Sequence, residues 1–311
     1  KHVTVPVMFI SSSNDQYATL DRIYQSMDLL PHDNWRVTCN MHVGHRPGPE
    51  QWVMLNQWFK QYLAGVEQNI PATPPSTFKI EKKTAHVTVT PALQERLVDV
   101  DIYYSYDPKP ITRFWKQAEA TKEANTWKAD LPVHPKLPLY TFALCRYTLA
   151  TEEPLQKGST KTFVLNSYEH IHIPEDIDLA AFDNLPKLGL IDDFSNGMVN
   201  WGSRGQPGFK TFKFQDPELD ISPGNKLAIT LDLKPDQELL LSLDIDGKYN
   251  DPDKAIGKFS YTRKVSGSGA QIIILEPKDF KQGRNKFEND TPLEWSKITT
   301  FTICLTDNKT K

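Results

Sequence analysis

Val5-Pro6-Val7-Met8-Phe9-Ile10 runs directly into Ser11-Ser12-Ser13-Asn14-Asp15, and this passage from apolar run to acidic turn decides how the first part of the chain is read. An apolar run without alternation is what a strand covered on both faces needs. The polar turn after it delivers a carboxylate at the strand end. The pattern then recurs: Trp35-Arg36-Val37-Thr38-Cys39-Asn40-Met41 is a second strand candidate and empties into His42-Val43-Gly44-His45. Between the two, residues 17–28 place Leu20, Ile23, Tyr24 and Met27 on one helix face. Pro49-Glu50 opens a further helix, since proline is pre-organised for a first turn. Its expected apolar stripe is Trp52, Leu55, Trp58, Phe59, Tyr62 and Leu63, with Gly65 just past the end. Residues 1–65 therefore read as strand, acid loop, helix, strand, histidine loop, helix.

Two side chains in these loops are suited to acid–base chemistry. An acid that accepts an imidazole N–H holds one tautomer and stabilises the imidazolium formed during acyl transfer. Asp15 sits where a strand-end loop would position such an acid; its bland alternative is a turn aspartate capping the next helix. Asp21 is the rival acid, but it falls inside the predicted helix and is read as a solvated helix-face charge. His45 is preferred to His42 as the base. Gly44 permits a sharp turn before it, and Pro47-Gly48-Pro49 closes the loop. Its alternative is a solvent-facing loop histidine. Arg46 is read as a surface residue rather than a partner for a substrate carboxylate. No G-x-S-x-G occurs in the 311 residues, and Gly267-Ser268-Gly269 lacks the spacing.

Residues 1–65 resemble the C-terminal part of the α/β-hydrolases, whose chain order places the acid before the histidine. They are most similar to secreted bacterial hydrolases of the acetyl-xylan-esterase and PhoPQ-activated-pathogenicity-related type. Val5-Pro6-Val7, Ser13-Asn14-Asp15, Leu30-Pro31, Val43-Gly44-His45 and the Trp58-Phe59 helix ending at Gly65 carry the resemblance, over about a fifth of the chain. It implies that Asp15 and His45 are a triad acid and base, with no cofactor. It also implies that the serine and oxyanion hole lie upstream, on an N-terminal hydrolase segment or on a second chain. The reaction implied is ester hydrolysis through a serine acyl-enzyme.

Ile70-Pro71-Ala72-Thr73-Pro74-Pro75 ends the first block, 1–70. From 76 to 168 the period changes to two, with Val98, Val100, Ile102 and Tyr104 opposed to Asp99 and Asp101. Further strand candidates are Ala85–Thr90, Thr126–Leu131, Leu139–Thr148 and Lys161–Leu165, which suggests an immunoglobulin-like β-sandwich. The Arg113-Phe114-Trp115-Lys116 segment reads as a short helix or an extended edge. A third block, 188–311, offers strands at Phe209–Phe214, Lys226–Leu233, Glu238–Ile245, Gly257–Lys264, Ala270–Leu275 and Ile298–Thr306, a jelly-roll-like sandwich. The expected fold is thus multidomain: a partial α/β-hydrolase followed by two β-sandwiches.

The third block resembles carbohydrate-binding jelly rolls in its Asp192-Asp193-Phe194-Ser195-Asn196-Gly197 and Leu293-Glu294-Trp295 segments. Trp201 and Trp295 are therefore candidate platforms for a sugar ring, against a reading of both as core. Asp244, Asp246 and Asp251 offer oxygen ligands for calcium. They fail the EF-hand spacing, and Asp246-Gly247 serves equally well as a hairpin turn.

Composition points the same way. A net charge of −3 and 39% apolar residues give no reason to expect nucleic acid as partner, and no run of 18 apolar residues is present to span a bilayer. Cys39, Cys145 and Cys304 sit in apolar, strand-like contexts and read as three buried thiols. The resulting expectation is part of a secreted, periplasmic or cell-surface esterase acting on a polysaccharide ester. The alternative is a non-catalytic cell-surface or matrix protein that binds carbohydrate or protein.

Overall fold

The computed structural model describes residues 2–155, 158–203, 208–235, 237–246, 258–283 and 292–307. The chain divides into two compact units, Lys1–Asn184 and Leu185–Lys311. In the first, β1 (Val7–Ser12), α1 (Leu20–Met27), β2 (Trp35–Asn40) and α2 (Pro49–Tyr62) follow in order. β1 and β2 pair in parallel, Val7 opposite Trp35 through Ser12 opposite Asn40. Strands then take over: β3 (Ser76–Glu81), β4 (Thr84–Val89), β5 (Leu97–Ser105), β6 (Lys116–Gln117), β7 (Thr121–Glu123), β8 (Thr126–Pro132), β9 (Leu139–Pro154), β10 (Ser159–Asn166) and β11 (His170–His172). They form two antiparallel sheets, one in the order β3-β4-β8-β7 and one in the order β10-β9-β5-β6, with β11 also on β9.

This overturns the expected fold class. Among the described residues strand makes up 43% and helix far less, so β-sheet is the dominant architecture. An α/β-hydrolase rests on a broad parallel sheet covered by helices. Here the parallel sheet has two strands and the described residues hold two α-helices. β1 is a case in point. Val7, Met8, Phe9 and Ile10 are only half-buried, because β1 has β2 on one side and pairs with no other strand among the described residues.

The two helices lean on the antiparallel sheet. Leu20, Ile23, Tyr24 and Met27 recur at i, i+3, i+4 and i+7, the spacing of a core-facing helix stripe. They share a core with Val37 and Cys39 of β2 and with Tyr103, Phe142, Leu144 and Val164 of β5, β9 and β10. Burying each such side chain is worth about 1.5–3 kcal/mol relative to exposure. β9 is buried without interruption from Leu139 to Cys145, so the sheet is covered on both faces there. Tyr24 Oη donates to the carbonyl of Ser167 at 2.7 Å, and Tyr168 Oη bonds Asp28 at 2.8 Å.

α2 differs from the stripe expected of it. The buried side chains are Gln51, Val53, Met54, Gln57 and Trp58, whereas Trp52, Phe59 and Leu63 are exposed. Val98 is exposed as well, since a bulge between Leu97 and Asp99 breaks the alternation at the start of β5.

In the second unit, β12 (Gly202–Ser203), β13 (Gly208–Thr211), β14 (Leu227–Leu233), β15 (Gln237–Asp246), β16 (Lys258–Ser266), β17 (Gly269–Leu275), β18 (Lys281–Gln282) and β19 (Thr300–Asp307) are all antiparallel. Among the described residues they form a six-stranded sheet, β12-β13-β19-β15-β16-β18, and a two-stranded sheet, β14-β17. Trp201, Phe214, Leu241, Leu243, Trp295 and Phe301 are at the centre of its core.

Candidate functional site

The loops that leave β1 and β2 emerge at the C-terminal ends of the two parallel strands, where α/β units present their binding residues. Each loop brings one titratable group. Asp15 Oδ2 meets His45 Nδ1 at 2.8 Å. The other carboxylate oxygen, Oδ1, accepts the N–H groups of Tyr17 at 2.8 Å and Ala18 at 3.2 Å. The turn contacts of Asp15 and its contact with the imidazole are therefore divided between its two oxygens. Its side chain is 4% exposed and that of His45 is 61% exposed. An anchored acid holds one edge of the imidazole while the ring stands open to solvent.

A web of short bonds fixes both loops. Ser12 Oγ donates to the Arg46 carbonyl at 2.9 Å and accepts the Arg46 N–H at 3.2 Å. Ser13 Oγ accepts the His42 N–H at 2.8 Å, and the Asn14 N–H donates to the Val43 carbonyl at 3.2 Å. Asn40 Nδ2 donates to the Arg46 carbonyl at 3.0 Å, and Gln51 bridges the Gly48 N–H and the Cys39 carbonyl. Tyr17 sits beside the imidazole, its ring edge-on to His45 at 5.0 Å and largely exposed.

The rival residues are placed elsewhere. His42 is fully buried and stacks on Phe114 at 5.3 Å. It also supplies the sharp turn, at φ 54°, whereas Gly44 does not adopt a left-handed conformation. Asp21 is not a solvated charge. Its two oxygens take both terminal nitrogens of Arg113 at 2.8 and 3.1 Å. Arg113 is fully buried, donates through Nε to the Asp107 carbonyl at 2.7 Å, and lies 3.6 Å from the centre of the Tyr140 ring.

Sequence reasoning missed this cluster. Its only signal was a cation embedded in the aromatic run Arg113-Phe114-Trp115. Glu169 completes it, 3.6 Å from Arg113 and buried. Burial and the nearby Asp21 carboxylate push Glu169 up to about 8, against the opposing pull of Arg113.

A second histidine–aspartate pair serves as a comparison. His86 Nδ1 lies 2.6 Å from Asp130 Oδ1, on neighbouring strands β4 and β8. Its aspartate is 70% exposed, so nothing holds that carboxylate in one place. A surface ion pair of this kind contributes little.

In the second unit both tryptophans are 6% exposed. Trp201 Nε1 donates to Asp192 at 2.8 Å and Trp295 Nε1 to the Asn225 carbonyl at 2.8 Å. They border a cleft of about 710 Å³ whose walls include Ile191, Phe194, Leu227 and Ile303. Neither indole offers the open face that sugar stacking requires. Asp244 is buried, accepting Ser260 Oγ at 2.6 Å and Thr300 Oγ1 at 3.3 Å. The Asp246 side chain and the whole of Asp251 lie outside the described residues. Among the described residues, no three His, Cys, Asp or Glu side chains are grouped to hold a metal, and no helix is long and apolar enough to cross a membrane.

No family model, no curated protein and no solved structure matches this chain.

Proposed function

We propose that this chain supplies the acid and the base of a serine hydrolase that acts on esters. The observation that carries the reading is the Asp15–His45 pair: a buried, doubly anchored carboxylate 2.8 Å from an imidazole whose other edge faces solvent. With Asp15 on Nδ1, the neutral ring keeps its lone pair on Nε2. His45 then takes the proton of a serine hydroxyl as that oxygen bonds to the ester carbonyl carbon, and gives it to the departing alcohol. Water attacks the acyl-serine, leaves its proton on Nε2, and the proton returns to the serine. Asp15 holds the ring and stabilises its charged form throughout.

The serine comes from a further segment or a second polypeptide. Its docking surface would be the open edge of β1 and the exposed apolar face of α2, with Trp52, Phe59 and Leu63 uncovered. A strand edge unpaired among the described residues and an exposed apolar helix face each invite a partner. The substrate class proposed is a simple acyl ester, acetylated polysaccharide included.

The test is hydrolysis of p-nitrophenyl acetate and acetylated xylan by this chain together with the polypeptide that carries the serine. Asp15→Asn and His45→Ala should each lower kcat by about 10⁴, the size of a lost triad orientation. His86→Ala should leave kcat unchanged. Full activity in His45→Ala, or an equal loss in His86→Ala, rules the assignment out.

A further inference from the structure

Asn14 lies between the acid and the strand that presents it, is fully buried, and ties the acid loop to two other segments through its backbone N–H and its side-chain amide. Its backbone N–H reaches Val43 in the histidine loop at 3.2 Å. Its Oδ1 accepts Ser13 Oγ at 2.8 Å, and that hydroxyl oxygen accepts the His42 N–H at 2.8 Å. Its Nδ2 donates to the carbonyls of Ile111 at 3.1 Å and Arg113 at 2.8 Å, about a hundred residues along the chain. The anchor at the far end is itself buried and bonded. Arg113 is held by Asp21, by the Asp107 carbonyl and against the Tyr140 ring.

We propose that Asn14 is a positioning residue: through its carboxamide, the 111–113 segment that leads into β6 sets the geometry of the Asp15–His45 pair. The proposal rests on the reading of that pair as the functional one. The physical argument concerns tolerance. A side chain that must meet an imidazole in one orientation works only when its supporting shell fixes it to about 0.5 Å. The two-stranded parallel sheet is too small to do so alone, and its first strand is half-buried. The carbonyls of Ile111 and Arg113 belong to a densely packed segment, with Arg113, Phe114 and Trp115 all buried. One amide borrows that rigidity for the acid loop. No other side chain with these donors and this acceptor fits: aspartate lacks the N–H groups, and glutamine is one methylene longer.

The test uses the full 311-residue chain and reads His45 by ¹⁵N NMR, which reports the ring nitrogen that carries the proton and how fast that proton exchanges. In the wild type the proton should sit on Nδ1 and exchange slowly. Asp15→Asn should abolish this. Asn14→Ala should mix the tautomers and speed exchange roughly tenfold, the equivalent of about one lost hydrogen bond, while the chain still unfolds cooperatively. Ser13→Ala, a milder change, should move both readouts in the same direction and covers the case in which Asn14→Ala does not fold. Leu131→Ala is the control, a core deletion in the β3-β4-β8-β7 sheet, and should leave the His45 signals as they are.

Wild-type signals in folded Asn14→Ala or in Ser13→Ala overturn the proposal, and so does an equal shift in Leu131→Ala, which would mean general loosening. An Asp15→Asn variant with unchanged His45 signals defeats the pair itself, and the proposal with it. The two failures are therefore distinguishable.

Discussion

Glu169 lies within 3.6 Å of a buried guanidinium, yet burial, and after it the Asp21 carboxylate that takes the bidentate position on Arg113, push its carboxyl upward. One cation faces two carboxylates in a site with little water. Its carboxyl is raised from an ordinary 4.5 to about 8. Between those values the folded chain binds more protons than the unfolded chain, so this residue's contribution is fully present below about pH 4.5 and is lost as pH rises towards 8. Glu169→Gln should remove that slope. The stability gained over wild type should grow from pH 5 to pH 8 by something on the order of 1 kcal/mol per pH unit. Urea denaturation at the two pH values measures it, and an equal offset at both would show that the Glu169 carboxyl is not raised in the folded chain.

Two thiols provide a second check at this scale. Burial pushes Cys39 and Cys145 well above the usual thiol range, and a thiolate is the species that reacts. Both should resist a disulfide reagent until the unit unfolds. Prompt labelling of either would contradict its burial.

At the scale of elements, α2 shows how far periodicity goes. Its sequence carries two overlapping apolar stripes, one through Val53, Met54 and Trp58 and one through Trp52, Phe59 and Leu63. Spacing pointed to a single stripe and could not say which face is covered; that depends on the β10 surface beneath it, built from residues about a hundred positions later. The consequence is measurable. Trp58→Ala should cost about 3–5 kcal/mol, as truncation of a buried aromatic does, whereas Trp52→Ser and Phe59→Ser should stay within about 0.5 kcal/mol. Chemical denaturation of the three variants separates them, and a large loss at Trp52 would mean that the covered face is the other one.

The strands were far more legible, because alternation, Pro and Asp turns act locally. Thr126 begins a strand where the pattern places it, and Gly269–Leu275 and Leu227–Leu233 differ from expectation by one residue at one end. That Asp15 and His45 meet was legible for a similar reason, since each sits in a loop that leaves one of the two adjacent strands. Arg113, Glu169 and the Asn14 tether were not. Their meaning lies in partners 92 to 99 residues away or in burial, and neither leaves a mark on neighbouring positions.

For the whole molecule, the relevant boundary falls at Asn184. The first 65 residues have no core of their own, since the apolar face of α1 is completed by β5, β9 and β10. A 1–70 fragment should therefore fail to melt cooperatively, while 1–184 should fold and melt in one transition; calorimetry of the two fragments decides it. A cooperative 1–70 fragment would refute the shared core.

That shared core also imposes an order of events during synthesis. α1 leaves the ribosome with Leu20, Ile23, Tyr24 and Met27 facing outward, and the strand surface that receives them ends only at Asn166. At a translation rate of about 5–20 residues per second, the roughly 140 intervening residues take about 7–28 s to appear. For that interval the helix is an unclaimed sticky surface on a nascent chain, which is when a chaperone would have most to hold.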